Sequence, residues 1–329
     1  MYKKLIFLVL LALSLLTGCG KDKHTATSET IPPDPYIDST IMDETAIQQE
    51  AEALQSTLTP AQPTFLRPEA SNTLTHSNDV AIIDYSNMDE GYVMIKYTGS
   101  TDSRLKSQVQ GPITTYTYNI TQNEWAVFPL SDGNGDYLFK VFENISGTKY
   151  ALVLSTEATV TLNNEFAPFL YPNQYVNYEN ADLTIATAAS LTQEHTQLLS
   201  KVEAVYNYVV RNVSYDTEKA ATVQSGYLPD LDEVLSTKKG ICFDYAALMT
   251  GMLRSQGIPC KLIFGYAGTT YHAWISVWSE ETGWVDGAVF FNGTSWQRMD
   301  PTFAATGNNS GSASQFVGDG INYTEKYIY

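Results

Sequence analysis

The sequence predicts an α+β protein in two folded parts. An all-β sandwich comes first, and a helix packed on an antiparallel sheet follows. Three observations carry this. Between residues 78 and 163, short runs of β-branched and aromatic residues alternate with Gly, Ser and Pro turns. From Leu198 the apolar residues recur at helical spacing. After Cys260 the strand pattern returns, directly behind the most regular helix of the chain.

The elements follow in order. Tyr2-Lys3-Lys4 is a short basic region, and Leu5 to Leu16 is almost wholly apolar. That run is too short for a permanent membrane span and suits the hydrophobic region of a secretory signal. It leads into Leu16-Thr17-Gly18-Cys19, which resembles the bacterial lipoprotein signal. The resemblance implies that residues 1–18 are removed and that Cys19 is lipidated. The chain would then sit on the extracytoplasmic face of the cell membrane, held by lipid alone. Residues 19–75 read as a flexible tether. They are polar at first, then punctuated by Pro32, Pro33, Pro35, Pro60, Pro63 and Pro68, and bury too little apolar surface to offset the entropy of ordering.

Residues 76–164 read as the β domain. Tyr92 to Tyr97, Thr115 to Ile120, Tyr137 to Phe142, Tyr150 to Leu154 and Ala158 to Leu162 read as strands, with turns at Gly99-Ser100, Gly111-Pro112 and Ser146-Gly147. Six or seven short strands in under a hundred residues predict a sandwich of immunoglobulin-like type. Asp132-Gly133-Asn134-Gly135-Asp136, with Glu143 at the twelfth position, imitates a calcium loop. Tyr137 stands where that loop needs glycine, and strands flank it. A hairpin turn is the expectation.

Residues 165–329 read as the second domain. Pro168 to Asn180 is irregular. Leu199, Val202, Val205, Tyr206 and Val209 mark a helix, with His195 at its start, and Asp230 to Ser236 a second one. The helix that matters most begins at Gly240-Ile241-Cys242 and ends before Gly257 and Pro259. Cys242 therefore stands in its first turn, where unpaired N–H groups and the positive dipole end suit an anionic nucleophile. Strands follow at Lys261 to Tyr266, Tyr271 to Trp278, Trp284 to Asp286 and Ser295 to Asp300. Residues 307–315 read as a loop and the remainder as an acidic, aromatic tail.

A cysteine nucleophile needs a base, and the base needs an orienting acceptor. Of four histidines, His24 and His76 lie in or near the tether and His195 on a polar run. Only His272 lies in a patterned strand just after the cysteine helix. For the third member, Asp286 and Asp300 both qualify by position. Cys260 stands beyond the far end of the helix from Cys242, too distant for a disulfide.

The motifs Gly240-Ile241-Cys242 with Asp244-Tyr245-Ala246, Gly257-Ile258-Pro259, His272-Ala273-Trp274 and Asp300-Pro301-Thr302 resemble, in that order, a bacterial transglutaminase-like domain of the papain-related cysteine superfamily. The resemblance covers residues 185–305. It implies a papain-like core and a Cys242–His272–Asp300 triad, with Asp300 preferred to Asp286 by its Asp-Pro-Thr motif. Gly287 to Ser295 then reads as a lengthened hairpin. It also implies acyl transfer on peptide or amide bonds through a thioester, resolved by water or by an amine. The alternative is an idle fold of the same kind serving as a surface binding or scaffolding module.

Composition narrows the partners. With 36 acidic and 19 basic side chains, the net charge of −17 argues against nucleic acid. No His/Cys ligand spacing points to a metal, and no cofactor is expected. A protein or peptide substrate at the cell surface or wall is the expected partner.

Overall fold

The computed structural model describes residues 65–280, 283–285, 289–291, 296–298 and 323–329. The leader, Cys19, Asp286 and Asp300 lie outside the described residues.

The first part contains eight strands: β1 (Thr75–Ser77), β2 (Ala81–Asp84), β3 (Tyr92–Tyr97), β4 (Leu105–Gln110), β5 (Thr115–Ile120), β6 (Ala126–Pro129), β7 (Gly135–Ser146) and β8 (Lys149–Val160). They form two antiparallel sheets, in the orders β1-β2-β3-β6 and β5-β4-β7-β8. Alternation explains the sandwich. In β5, Tyr116 and Tyr118 are buried while Thr115, Thr117 and Asn119 face outward. Tyr118 meets Phe128 of the opposite sheet with ring centroids 4.4 Å apart. Ile83, Val93 and Ile95 from one sheet share a core with Val109, Phe139 and Val141 from the other.

Three expectations need correction here. Tyr150 to Leu154 and Ala158 to Val160 belong to one strand, β8, which ends before Thr161 and Leu162, because β7 is long enough to pair with it throughout. The stretch Asp132–Asp136 is not a hairpin but joins β6 of one sheet to β7 of the other. Its oxygens are engaged in separate places. Asp132 Oδ2 accepts the Ile113 and Thr114 amides at 2.9 and 2.6 Å. Glu143, in β7, accepts the Thr101 hydroxyl at 2.5 Å. Finally, folded chain begins ahead of residue 76. Phe65 is buried, with its ring centroid 5.0 Å from that of Tyr178, because the segment finds apolar surface that its own composition lacks.

The second part contains α1 (Asp182–Thr192), α2 (Leu198–Asn212), β9 (Ser214–Tyr215), α3 (Thr217–Thr222), α4 (Leu231–Thr237), β10 (Lys239–Gly240), α5 (Cys242–Ser255), β11 (Cys260–Ala267), β12 (Thr270–Ser279), β13 (Gly283–Val285), β14 (Val289–Phe291), β15 (Trp296–Arg298) and β16 (Tyr323–Ile328). One antiparallel sheet runs β13-β12-β11-β16, and β14 and β15 form a hairpin where the lengthened one was expected. Helix α5 is buried from Phe243 to Ser255 and packs on β11 and β12. His195 lies in the turn between α1 and α2 rather than at a helix start, its amide bonded to Thr192 O at 3.0 Å. The expected tail is a strand: β16 pairs with β11 and closes the sheet.

The two parts share one hydrophobic core. Tyr116 and Tyr118 of β5 meet Tyr329 at centroid distances of 5.5 and 5.9 Å. Tyr329 in turn meets Tyr175 at 4.3 Å, and Tyr175 meets Phe243 of α5 at 5.8 Å. A chain of rings thus joins the sandwich to the helix that starts at Cys242. Such ring pairs add about 0.5–1.5 kcal/mol each beyond their buried area.

At the far end of α5, buried Arg254 ties the pieces together. Its guanidinium donates to Cys260 O, Tyr171 O and Tyr329 O at 2.8, 2.8 and 2.7 Å. Burial pulls its pKa down to about 10, yet it stays protonated and bonded at neutral pH.

Candidate active site

The turn that presents Cys242 is set by the chain before it. Helix α4 is capped at its start by Asp230, whose carboxylate accepts the Glu233 amide at 3.0 Å, and ends at Lys238, which is left-handed (φ 53°). Lys239–Gly240 then pairs in parallel with Ser214–Tyr215. Ile241 is extended (φ −96°, ψ 178°), and Cys242 is the first helical residue.

One carboxylate secures this turn. Asp244 is fully buried. Its Oδ2 accepts the Ile241 amide at 2.8 Å and lies 2.9 Å from Lys219 Nζ. Its Oδ1 accepts the Tyr227 hydroxyl at 2.5 Å. Lys219 also donates to the Tyr227 oxygen and sits over the Tyr227 ring. Burial, then the bond to Asp244, pushes the Tyr227 phenol far up, so it remains a neutral donor. Lys219 is itself placed by Asp216, whose carboxylate takes the Lys219 amide at 2.8 Å. Gly240 is required, because a Cβ there would lie 2.6 Å from Asp244 Cβ. The Asp-Tyr-Ala motif was noted in the sequence, but its partners Lys219 and Tyr227 were not. No local pattern marks them: they lie on α3 and in the loop before α4.

Cys242 is half-buried and its thiol is free, whereas Cys260 is fully buried. Burial pushes the Cys260 thiol up to about 12, and it donates to Thr250 Oγ1 at 3.6 Å. The helix and strand directions relate Cys242 to His272. Phe243 meets Phe264 with ring centroids 4.8 Å apart, while Thr250 meets Cys260. Helix α5 therefore runs antiparallel to β11, with its head level with Phe264 and Gly265. Gly265 is the cross-strand partner of His272. So the head of α5 and His272 stand at the same level of the sheet.

His272 is buried, and its ring stacks near Trp274 at a centroid distance of 6.3 Å. It alternates to the side of β12 opposite Tyr271 and Ala273. Among the described residues β13 pairs with β12 only over Val277–Ser279, so at His272 that flank carries no described strand. A side chain at position 265 would meet Thr324 O at 2.0 Å, so glycine alone fits opposite the histidine. Burial pushes the neighbouring Tyr271 phenol up to about 12, with the charges of Tyr327, Tyr175, Tyr266 and Cys242 adding to it. The start of β12 thus lies within electrostatic reach of the Cys242 sulfur. The other described histidines, His76 and His195, are exposed on other elements. The third expected member, Asp300, and its rival Asp286 lie outside the described residues. Among the described residues no three His, Cys, Asp or Glu side chains form a metal-binding group.

A helix led by cysteine, two strands packed on it and a histidine in the second strand define the class, and the sequence agrees: residues 185–301 match the transglutaminase-like superfamily. Over that stretch the chain is similar to the transglutaminase-like superfamily, and the matching part is an α+β layer of α5 on β11 and β12. The chain is similar to the uncharacterized protein YebA of Bacillus subtilis (strain 168). Identity is 32% over 118 residues, covering 30% of this chain and 16% of that protein. It is also similar to a protein-glutamine gamma-glutamyltransferase of Pseudomonas aeruginosa, 30% identical over 118 residues, or 30% of this chain and 17% of that protein. Among solved structures, the periplasmic domain of TgpA from Pseudomonas aeruginosa aligns with 74% of this chain and 98% of its own, at 16% identity and a TM-score of 0.35. The match thus spans less than a fifth of the length of either sequence relative.

Proposed function

We propose that the protein is a lipid-anchored, extracytoplasmic enzyme that transfers acyl groups from peptide or amide bonds through Cys242. The observation that carries this reading is the buried Asp244 anchor. A buried carboxylate, with an ammonium, a phenol and a glycine arranged around it, fixes the turn that carries half-buried Cys242 at the head of α5.

The roles are those that the resemblance to the transglutaminase-like superfamily implies. The Cys242 sulfur attacks the carbonyl carbon, and a C–S bond forms. His272 takes the thiol proton and gives it to the leaving amine as the C–N bond breaks. Asp300 orients the imidazole. The Cys242 N–H, in the first turn where backbone donors lack intrahelical acceptors, stabilises the oxyanion. Water or an amine then cleaves the thioester, and His272 returns the proton to sulfur. The protein-glutamine gamma-glutamyltransferase relative lends weight to amine as acceptor, over the aligned stretch alone.

Anchoring rests on the leader and Cys19. Among the described residues no helix is long and apolar enough to cross a membrane. The sandwich is read as immunoglobulin-like, which its strand order supports: β2-β3-β6 faces β5-β4-β7-β8 with Greek-key crossings between the sheets. A second reading, an idle fold acting as a surface binding module, is favoured by the shared aromatic core between sandwich and helix domain.

Profiling the wild type and Cys242→Ala on a peptide library, scored by mass spectrometry for cleavage, deamidation and crosslinks together, tests the enzyme against the module. Products made by the wild type and absent from the variant support the enzyme. Identical spectra support the module.

A further inference from the structure

Beside the head of α5 lies a cleft of about 230 Å³. Its walls are Tyr175, Phe243, Phe264, Tyr271, Tyr327 and Tyr329, with Thr117 of the sandwich closing one side. Phe243 follows Cys242 in the chain, and Tyr271 precedes His272. The cleft therefore lies beside the residue that follows Cys242, and four regions build it: β5, the loop ahead of α1 that carries Tyr175, the α5/β11/β12 layer, and β16 with Tyr329 after it.

The lining decides what fits. None of the seven side chains is acidic or basic. The phenols of Tyr175, Tyr271 and Tyr329 are held neutral, chiefly by burial. A carboxylate or ammonium would lose its water here without meeting a counter-ion, which costs more than ring faces return to a cation. The volume falls below the range typical of pockets for drug-sized ligands, so one side chain fits where a run of sugars does not. Phe264 and Tyr271 lie nearly parallel, 17° between planes, and Phe243 stands edge-on to Phe264 at 76°. Walls of this kind receive another ring in offset or edge-to-face contact.

We propose that this cleft is a specificity subsite for an uncharged aromatic side chain of the peptide substrate, next to the acyl group delivered to Cys242, and that the sandwich contributes to it through Thr117. The proposal builds on the acyl-transfer reading and gives the sandwich a part in substrate choice.

The test is equilibrium binding to the full-length Cys242→Ala protein, which needs no turnover. The probes are N-acetylphenylalaninamide, N-acetylalaninamide, N-acetyllysinamide and N-acetylglucosamine, followed by titration calorimetry or ligand-observed NMR. The phenylalanine amide is expected to bind about tenfold tighter than the alanine amide. Thr117→Trp, at an exposed strand position that tolerates an aromatic residue, fills the cleft and abolishes that preference. Tyr271→Ala, at a half-exposed site, removes a wall and weakens it as well. Equal binding of the alanine amide, tighter binding of the lysine amide or the sugar, phenylalanine binding unmoved by both variants, or no binding of any probe each overturns the proposal. An enzyme inert on every peptide that still shows this preference would sink the acyl-transfer reading and leave the subsite standing.

Discussion

Asp244 Oδ2 lies 2.9 Å from Lys219 Nζ and takes the Ile241 amide at 2.8 Å, so one buried carboxylate joins α3 to the residue just ahead of Cys242. The two ends of this ion pair are not equivalent. The Asp244 side chain has no exposure, while that of Lys219 retains 28%. Lys219→Met leaves a buried carboxylate without its cation and is expected to cost about 3 kcal/mol. Asp244→Asn frees an ammonium that can turn to water and keeps an acceptor for Ile241, and should cost about 1–2 kcal/mol. Denaturant melts of the two variants check the order. A costlier Asp244→Asn would contradict it.

Gly240→Ala tests the same turn from the backbone side. The added Cβ would stand 2.6 Å from Asp244 Cβ. Overpacking of this kind costs about 1–3 kcal/mol. It should also slow alkylation of Cys242, since the turn that presents the sulfur must shift. Combined with Asp244→Ala, the clash disappears. The double variant is then expected to be more stable than the sum of its parts predicts, by about 0.5–3 kcal/mol.

How much of this was legible in the sequence differs by element. Strand β3, strand β5 and helices α2, α4 and α5 were legible because their apolar period and caps are local: Asp230 caps α4 three residues before Glu233. Helix α1 was not. Ala181 offers it no cap, and the oxygens that receive the Leu183 and Thr184 amides belong to Asp232, on α4. Strand β16 was hidden for a similar reason. Its partner β11 lies more than fifty residues earlier, and Tyr-Thr-Glu-Lys-Tyr-Ile, with three polar residues in a row and no alternation, looks like a tail until that edge is known. At the site, Cys242 and His272 could be picked out by motif and elimination. Lys219 and Tyr227 could not, because only the fold brings them to Asp244.

The buried Cys260 thiol should make stability depend on pH. The Cys260 thiol is raised from 9.0 to about 12 by burial. A thiol raised by folding stabilises the fold fully below the unfolded value, and that contribution is lost as pH climbs through the folded one. Wild-type stability should therefore fall between about pH 9 and pH 12 by up to about 4 kcal/mol more than that of Cys260→Ala. Urea melts of both proteins across that range check it. Parallel curves would show that Cys260 titrates freely.

Arg254 is expected to matter for stability rather than chemistry. Arg254→Met leaves the carbonyls of Cys260, Tyr171 and Tyr329 without their guanidinium donor, a loss of about 3 kcal/mol or more. Arg254→Lys should recover only part of it, since an ammonium cannot fork to three carbonyls. Thermal denaturation ranks the three proteins. A lysine variant as stable as the wild type would contradict the clamp.

The central claim is that Cys242 accepts an acyl group. Acid-quenched intact-mass spectrometry, seconds after mixing with a glutamine-containing peptide, tests it most directly. The wild type should show a mass increase equal to the peptide less ammonia or an amine, mapped to Cys242 and removed by hydroxylamine. Cys242→Ala should show none, and His272→Ala should form it at least about a hundredfold more slowly. A wild type that never gains this adduct across the peptide library, or one whose adduct survives Cys242→Ala, would contradict the account.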